Sequence, residues 1–158
     1  MTRVYIAAGS NIEPERHLRQ ALQLLGREFG ALAVSPWYRN RAVGFEGEDF
    51  INLAVGFDTA LALPELVRRL RAIETACGRP ANAPKWAPRC MDLDILLYGE
   101  VVSVDPQLPR PDLLVRPYML GPLADIAPDL VHPTERATIR DLWGRFDPAA
   151  HALVPVVV

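Results

Sequence analysis

Met91-Asp92-Leu93-Asp94-Ile95-Leu96-Leu97-Tyr98 is an apolar, strand-like run that carries two acids two positions apart. Side chains alternate along a strand, so Asp92 and Asp94 share one face while Leu93 and Ile95 lie on the other. Upstream, Val4-Tyr5-Ile6-Ala7-Ala8 reads as a buried strand closed by the turn triplet Gly9-Ser10-Asn11. Pro14 suits the first turn of a helix, in which Leu18, Ala21, Leu22, Leu25 and Phe29 recur at helical spacing before a stop at Gly30. Residues 31–35 read as a short strand, 36–49 as irregular and 50–58 as the next strand. Pro64 opens a second helix, with Leu66, Val67, Leu70, Ile73 and Cys77 on its apolar side and Gly78 at its end. Residues 79–90 hold Pro80, Pro84 and Pro88 and cannot be regular, and connections of that length are often lids. The run at 91–98 completes the order β-α-β-β-α-β. That order predicts an α+β, ferredoxin-like fold with two helices packed on one face of an antiparallel sheet. C-terminal additions follow: a short strand at 101–104, a polar, proline-rich passage at 105–117, and a helix through Met119, Leu120, Leu123, Ala124 and Ile126. A last helix is expected at 139–144, and the apolar tail at 154–158 is expected to pack or pair.

The bulk numbers agree with one domain over residues 1–158: half the residues are apolar and 23% are charged. A formal charge of −2 gives no basic excess, which argues against a general nucleic-acid or membrane-surface binder. Met1-Thr2-Arg3-Val4-Tyr5-Ile6 enters a strand directly and is no signal peptide, and no apolar run approaches the roughly 20 residues a bilayer span needs. Cys77 and Cys90 lack metal-site spacing and read as free thiols in a reducing compartment. A cytoplasmic protein is expected.

Two adjacent carboxylates repel each other and resist burial. A hard cation removes the repulsion, and magnesium commonly uses one or two carboxylates together with substrate phosphates. The competing reading places both acids in water at a strand end, which their apolar flanks make less comfortable. Arg79, Lys85 and Arg89 lie in the loop just before the pair, with Trp86 among them. Phosphoryl transfer depends mostly on positioning and on positive charge around the transferring group; arginine supplies a planar fork and lysine a point charge. Trp86 could cover an aromatic ligand or close the site, or could instead anchor the core. There is no glycine-rich P-loop, no dinucleotide fingerprint and no nucleophile elbow, and His17, His132 and His151 are scattered. Magnesium-assisted phosphate transfer to a small molecule is the expected chemistry.

With these residues in view, the chain resembles the 6-hydroxymethyl-7,8-dihydropterin pyrophosphokinase family. The resemblance runs from Ala8-Gly9-Ser10-Asn11 through Lys85-Trp86-Ala87-Pro88-Arg89-Cys90-Met91-Asp92-Leu93-Asp94 to Leu123-Ala124-Asp125-Ile126-Ala127-Pro128. It implies the ferredoxin-like fold, a monomer, and transfer of pyrophosphate from ATP to a pterin hydroxymethyl oxygen with release of AMP. It implies two magnesium ions on Asp92 and Asp94, with Arg79 and Arg89 handling phosphates and Trp86 closing over the substrates. Glu74, Lys85, Ile95, Arg110 and Arg116 would line the nucleotide site. Phe50, Asn52, Tyr118 and Trp86, with the backbone at Val43 and Gly44, would hold the pterin. Three departures stand out: Asn40-Arg41-Ala42 where family members usually carry Thr-Pro-Pro, Ala81 where a second lid arginine is common, and Arg110 where a histidine is familiar. They leave open a related pterin alcohol as acceptor, or a non-catalytic ligand-binding module of the same fold.

Overall fold

The computed structural model describes residues 1–41, 47–78, 90–147 and 153–157. In chain order the elements are β1 (Thr2–Ser10), α1 (Pro14–Phe29), β2 (Ala33–Val34), β3 (Trp37–Asn40), β4 (Phe50–Thr59), α2 (Leu63–Ala76), β5 (Asp92–Tyr98), β6 (Ser103–Val104), β7 (Gln107–Leu108), a 3₁₀ turn (Pro111–Leu114), α3 (Pro117–Ile126), α4 (Ile139–Gly144) and β8 (Val154–Val156). The main sheet runs β5-β1-β4-β3-β8, with β2 also on β4, and every pairing is antiparallel. The β-α-β-β-α-β frame expected from the sequence is present, with β2 reduced to two residues.

Strand β1 is apolar at both parities, and a strand of that kind has to be covered on both faces. Val4, Ile6 and Ala8, with Leu53, Val55 and Phe57, bury against Leu18, Leu25, Leu66 and Leu70 of α1 and α2. Tyr5, Ala7, Ala54 and Leu97 bury on the opposite side against Met119, Leu120, Leu123, Ile139 and Leu142. The expectation of two helices on one face therefore holds for α1 and α2, while α3 and α4 form a second layer on the other face. Gly121 is where that layer packs tightest: a Cβ there would come within 2.7 Å of Leu153 Cδ1 and 2.8 Å of Trp143.

Three local readings change. Gly9 and Ser10 are not a turn but the last two residues of β1, paired with Asn52 and Ile51; the chain turns only from Asn11. Residues 37–40, expected to be irregular, are strand β3, because they find partners on both sides: β4, and the tail strand β8. The expected strand at 101–104 shrinks to β6, which pairs with β7 inside the polar, proline-rich passage. The tail pairs as expected, and Pro155, which has no N–H to offer a further strand, sits at the outer edge.

Phe57 has no exposed surface and stacks on Phe29 with ring centroids 4.1 Å apart. Phe57→Ala is expected to cost about 3–5 kcal/mol of unfolding free energy, measured by denaturant titration.

Candidate active site

The register of three strands sets the floor of the site. Asn52 of β4, Gly9 of β1 and Asp92 of β5 lie opposite one another in one row; Ala54, Ala7 and Asp94 form the next row of the same parity. Directly opposed residues share a face, so Asn52, Asp92 and Asp94 project towards the α3 side. Within the first row only Gly9, which has no side chain, stands between the amide and Asp92. Gly9 is required at this point: a Cβ on it would collide with Asn52 Oδ1. Asn52 is itself held by Asn40, whose Oδ1 accepts from Asn52 Nδ2. Phe50, two residues before Asn52 and so on the same face, is half-buried. Tyr118, in the first turn of α3, is also half-buried. Burial raises its phenol, which feels the charges of Arg116, Asp112, Asp94 and Arg110.

The acid pair is under electrostatic load. The side chain of Asp94 is only 15% exposed. Its carboxyl is pushed up to about 7, first by burial and then by the charge of Asp92, while Arg110 and Arg71 pull the other way. Arg110 lies 3.7 Å from Asp94 and 3.4 Å from Asp112. A bulge in β5 brings it there. Tyr5 faces Leu97 and Ile6 faces Ile95, so Leu96 is the extra residue, and its carbonyl accepts the Arg110 backbone N–H at 3.0 Å. Arg110 Nε is buried with no hydrogen-bond partner among the described residues, a donor suited to an oxygen-rich ligand.

Among the described residues β5 is an edge strand, and α2 closes its outer side at the acid pair. Glu74 Oε2 accepts the Leu93 N–H at 2.7 Å; Arg71 Nη1 donates to the Leu93 carbonyl at 3.3 Å and to Glu74 Oε1 at 2.7 Å. Above this contact opens a cleft of about 330 Å³, lined by Val67, Arg71, Asp94, Ile95, Arg110 and Arg116 among others.

The structure thus gathers Asp94, Ile95, Arg110 and Arg116 around one cleft and sets Asn52 on the same face as the acids. Glu74 is nearly fully buried against the backbone of β5. Arg79, Lys85, Trp86, Arg89, Val43 and Gly44 lie outside the described residues. Arg71 and Asp112 were not among the residues singled out from the sequence. The i, i+3 spacing of Arg71 and Glu74 was a signal for the first; nothing local marked the second. Among the described residues no group of three or more His, Cys, Asp or Glu forms a metal cage. Two carboxylates held together beside an orphaned guanidinium nitrogen suit a magnesium ion whose other ligands are phosphate and water oxygens.

Residues 5–128 match the 7,8-dihydro-6-hydroxymethylpterin-pyrophosphokinase (HPPK) family. The chain belongs to this family. A Pseudomonas aeruginosa 2-amino-4-hydroxy-6-hydroxymethyldihydropteridine pyrophosphokinase is 41% identical over 140 residues, covering 85% of this chain and 86% of the relative. The protein of that name from Synechocystis is 43% identical over 115 residues, which span 72% of this chain and 58% of the relative. One from Methylorubrum extorquens is 37% identical over 94% of this chain and 96% of its own. A Plasmodium falciparum HPPK-DHPS chain crystallised with pteroate shares the fold, with a TM-score of 0.74 at 13% identity, over 91% of this chain and 44% of that one. The HPPK family's fold agrees with the one read from the sequence.

Gly9→Ala is expected to displace Asn52 and to weaken binding of a hydroxymethyl-dihydropterin in calorimetry more than it weakens magnesium binding. A second expectation concerns pH. The folded protein raises Asp94 from the ordinary 3.8 to about 7, so it favours the protonated form. That stability is fully present below about pH 4 and is lost as pH rises through about 7. Denaturant unfolding in chelator across this window is expected to show stability falling with pH, and Asp94→Asn is expected to flatten the slope.

Proposed function

We propose that the chain transfers a pyrophosphoryl group from ATP to the hydroxymethyl oxygen of 6-hydroxymethyl-7,8-dihydropterin, releasing AMP and giving the pterin diphosphate used in folate synthesis. The observation that carries this reading is the row Asn52–Gly9–Asp92, with the pterin-reading amide and the acid pair on one face of the sheet. The names of the relatives support the same reaction. The acceptor oxygen forms a bond to the β-phosphorus, the bond from that phosphorus to the α,β-bridging oxygen breaks, AMP departs with that oxygen, and the hydroxyl proton is lost to water.

Asp92 and Asp94 hold two magnesium ions. Bound magnesium supplies positive charge that neutralises phosphate oxygens and lowers the pKa of the attacking hydroxyl. The pterin lies between the rings of Phe50 and Tyr118, its polar edge read by Asn52 and by the backbone of Val43 and Gly44. The nucleotide occupies the cleft beside Ile95, with Arg110 offering its spare N–H and Arg116 its charge to phosphate. Arg79, Lys85 and Arg89 add charge by their family positions, and Trp86 covers the substrates. Arg110 replaces the familiar histidine with a permanent cation. The chain works as one domain and as a monomer in the cytoplasm. No helix among the described residues is long and apolar enough to cross a membrane.

The test is incubation with ATP, magnesium and 6-hydroxymethyl-7,8-dihydropterin, with AMP measured by chromatography. AMP is expected, and Asp92→Asn and Asp94→Asn are each expected to slow its formation by more than the roughly 100-fold typical of losing a supporting contact. AMP formation unchanged in both variants would sink the metal assignment. Pterin binding without AMP would point to a related pterin alcohol as acceptor, or to a binding module.

A further inference from the structure

An edge strand has a row of backbone groups with no strand to satisfy them. On β5 that row includes the N–H and C=O of Leu93, the residue between the two acids. Pairing with β1 uses the backbone of Asp92 and Asp94 on the inner side, and Leu93 points its own amide and carbonyl outward. There, Glu74 accepts from the N–H at 2.7 Å and Arg71 donates to the C=O at 3.3 Å. One acceptor and one donor, joined to each other at 2.7 Å, reproduce what a neighbouring strand would present.

We propose that Arg71 and Glu74 act together as a surrogate strand, a positioning device that holds the backbone from which Asp92 and Asp94 project at the separation the metal site needs. The inference rests on the reading of the acid pair as that site. Two observations support it. Glu74 is 2% exposed, so its carboxylate is taken out of water for the sake of this contact. Glu74 is not among the described residues that line the neighbouring cleft, whereas Arg71 is. A ligand's supporting contacts govern its geometry in this way in metal sites generally. Glu74 is accordingly a positioning residue that acts on the acid pair through Leu93.

The experiment uses three variants. Glu74→Ala removes the brace. Glu74→Asp keeps the charge and shortens the reach, which guards against a truncation that fails to fold. Glu74→Gln removes the charge and keeps an oxygen to accept from Leu93. Amide hydrogen exchange on the metal-free protein, read by NMR, is expected to show Leu93 protected in the wild type and in Glu74→Gln. Its exchange should be at least about tenfold faster in Glu74→Ala and Glu74→Asp, with the amides shared by β1 and β4 unchanged. Magnesium affinity, by calorimetry, is expected to fall about 10- to 100-fold in Glu74→Ala and Glu74→Asp and to be rescued in Glu74→Gln. Affinity for ATP without metal should stay at the wild-type value in all three. Leu93 exchange that ignores Glu74 would overturn the proposal. So would faster exchange with magnesium affinity intact, and so would an equal loss of metal-free ATP affinity in all three variants, which marks a direct nucleotide contact. An Asp92→Asn control separates the two ideas. If it binds magnesium as the wild type does, the acid pair is not the metal site and the functional reading fails, while Leu93 exchange still decides the brace.

Discussion

The pairing of β1 with its two neighbours is the constraint on which the rest of the molecule depends. Ala7, Ala8 and Gly9 face Asp94, Leu93 and Asp92 on one side and Ala54, Leu53 and Asn52 on the other. A slip of one residue in either pairing would turn the acids or the amide to the opposite face. The slip is resisted because both faces of β1 are buried: Val4, Ile6 and Ala8 under α1 and α2, Tyr5 and Ala7 under the C-terminal helices. The hydrophobic core thus sets the alignment of polar groups that do not themselves stabilise it.

Those polar groups carry a cost. Asp94 is nearly buried, beside a like charge, and its carboxyl is pushed up to about 7 as a result. The protein offsets the strain with cations on both sides: Arg110 from the segment after β7 and Arg71 from α2. Arg110 is shared between Asp94 and Asp112 and leaves Nε without a hydrogen-bond partner among the described residues, while Arg71 pairs with Glu74 and also donates to the Leu93 carbonyl. Such an arrangement is poised for anionic oxygens and cations to enter together, since each would relieve what the other leaves unsatisfied.

The β5 bulge links architecture to chemistry. By inserting Leu96, it turns a carbonyl outward to the Arg110 backbone, so the chain after β7 is tied to the sheet at the level of the acids. One turn of α2 closes the same edge at Leu93. An edge that would otherwise invite another strand is occupied by the groups that build the site.

The sequence by itself determined the order of the frame, the two amphipathic helices and the shared face of Asp92 and Asp94. Each of these follows from local periodicity: 3.6 for Leu18, Ala21 and Leu25, two for the acids. It did not disclose that residues 37–40 form a strand, because Trp37-Tyr38-Arg39-Asn40 becomes regular only when β4 and the distant tail supply partners. It misplaced the end of β1, because Gly9 and Ser10 carry turn chemistry and their pairing with Asn52 and Ile51 is a non-local fact. Motif matching could suggest Arg110 and Arg116. Only the tertiary structure brought Arg110 to 3.7 Å from Asp94 and Arg71 onto the backbone of β5. The reason is physical. Periodicity reports which face a residue occupies on its own element, whereas charge pairing across elements depends on register, bulges and packing, which no local pattern encodes.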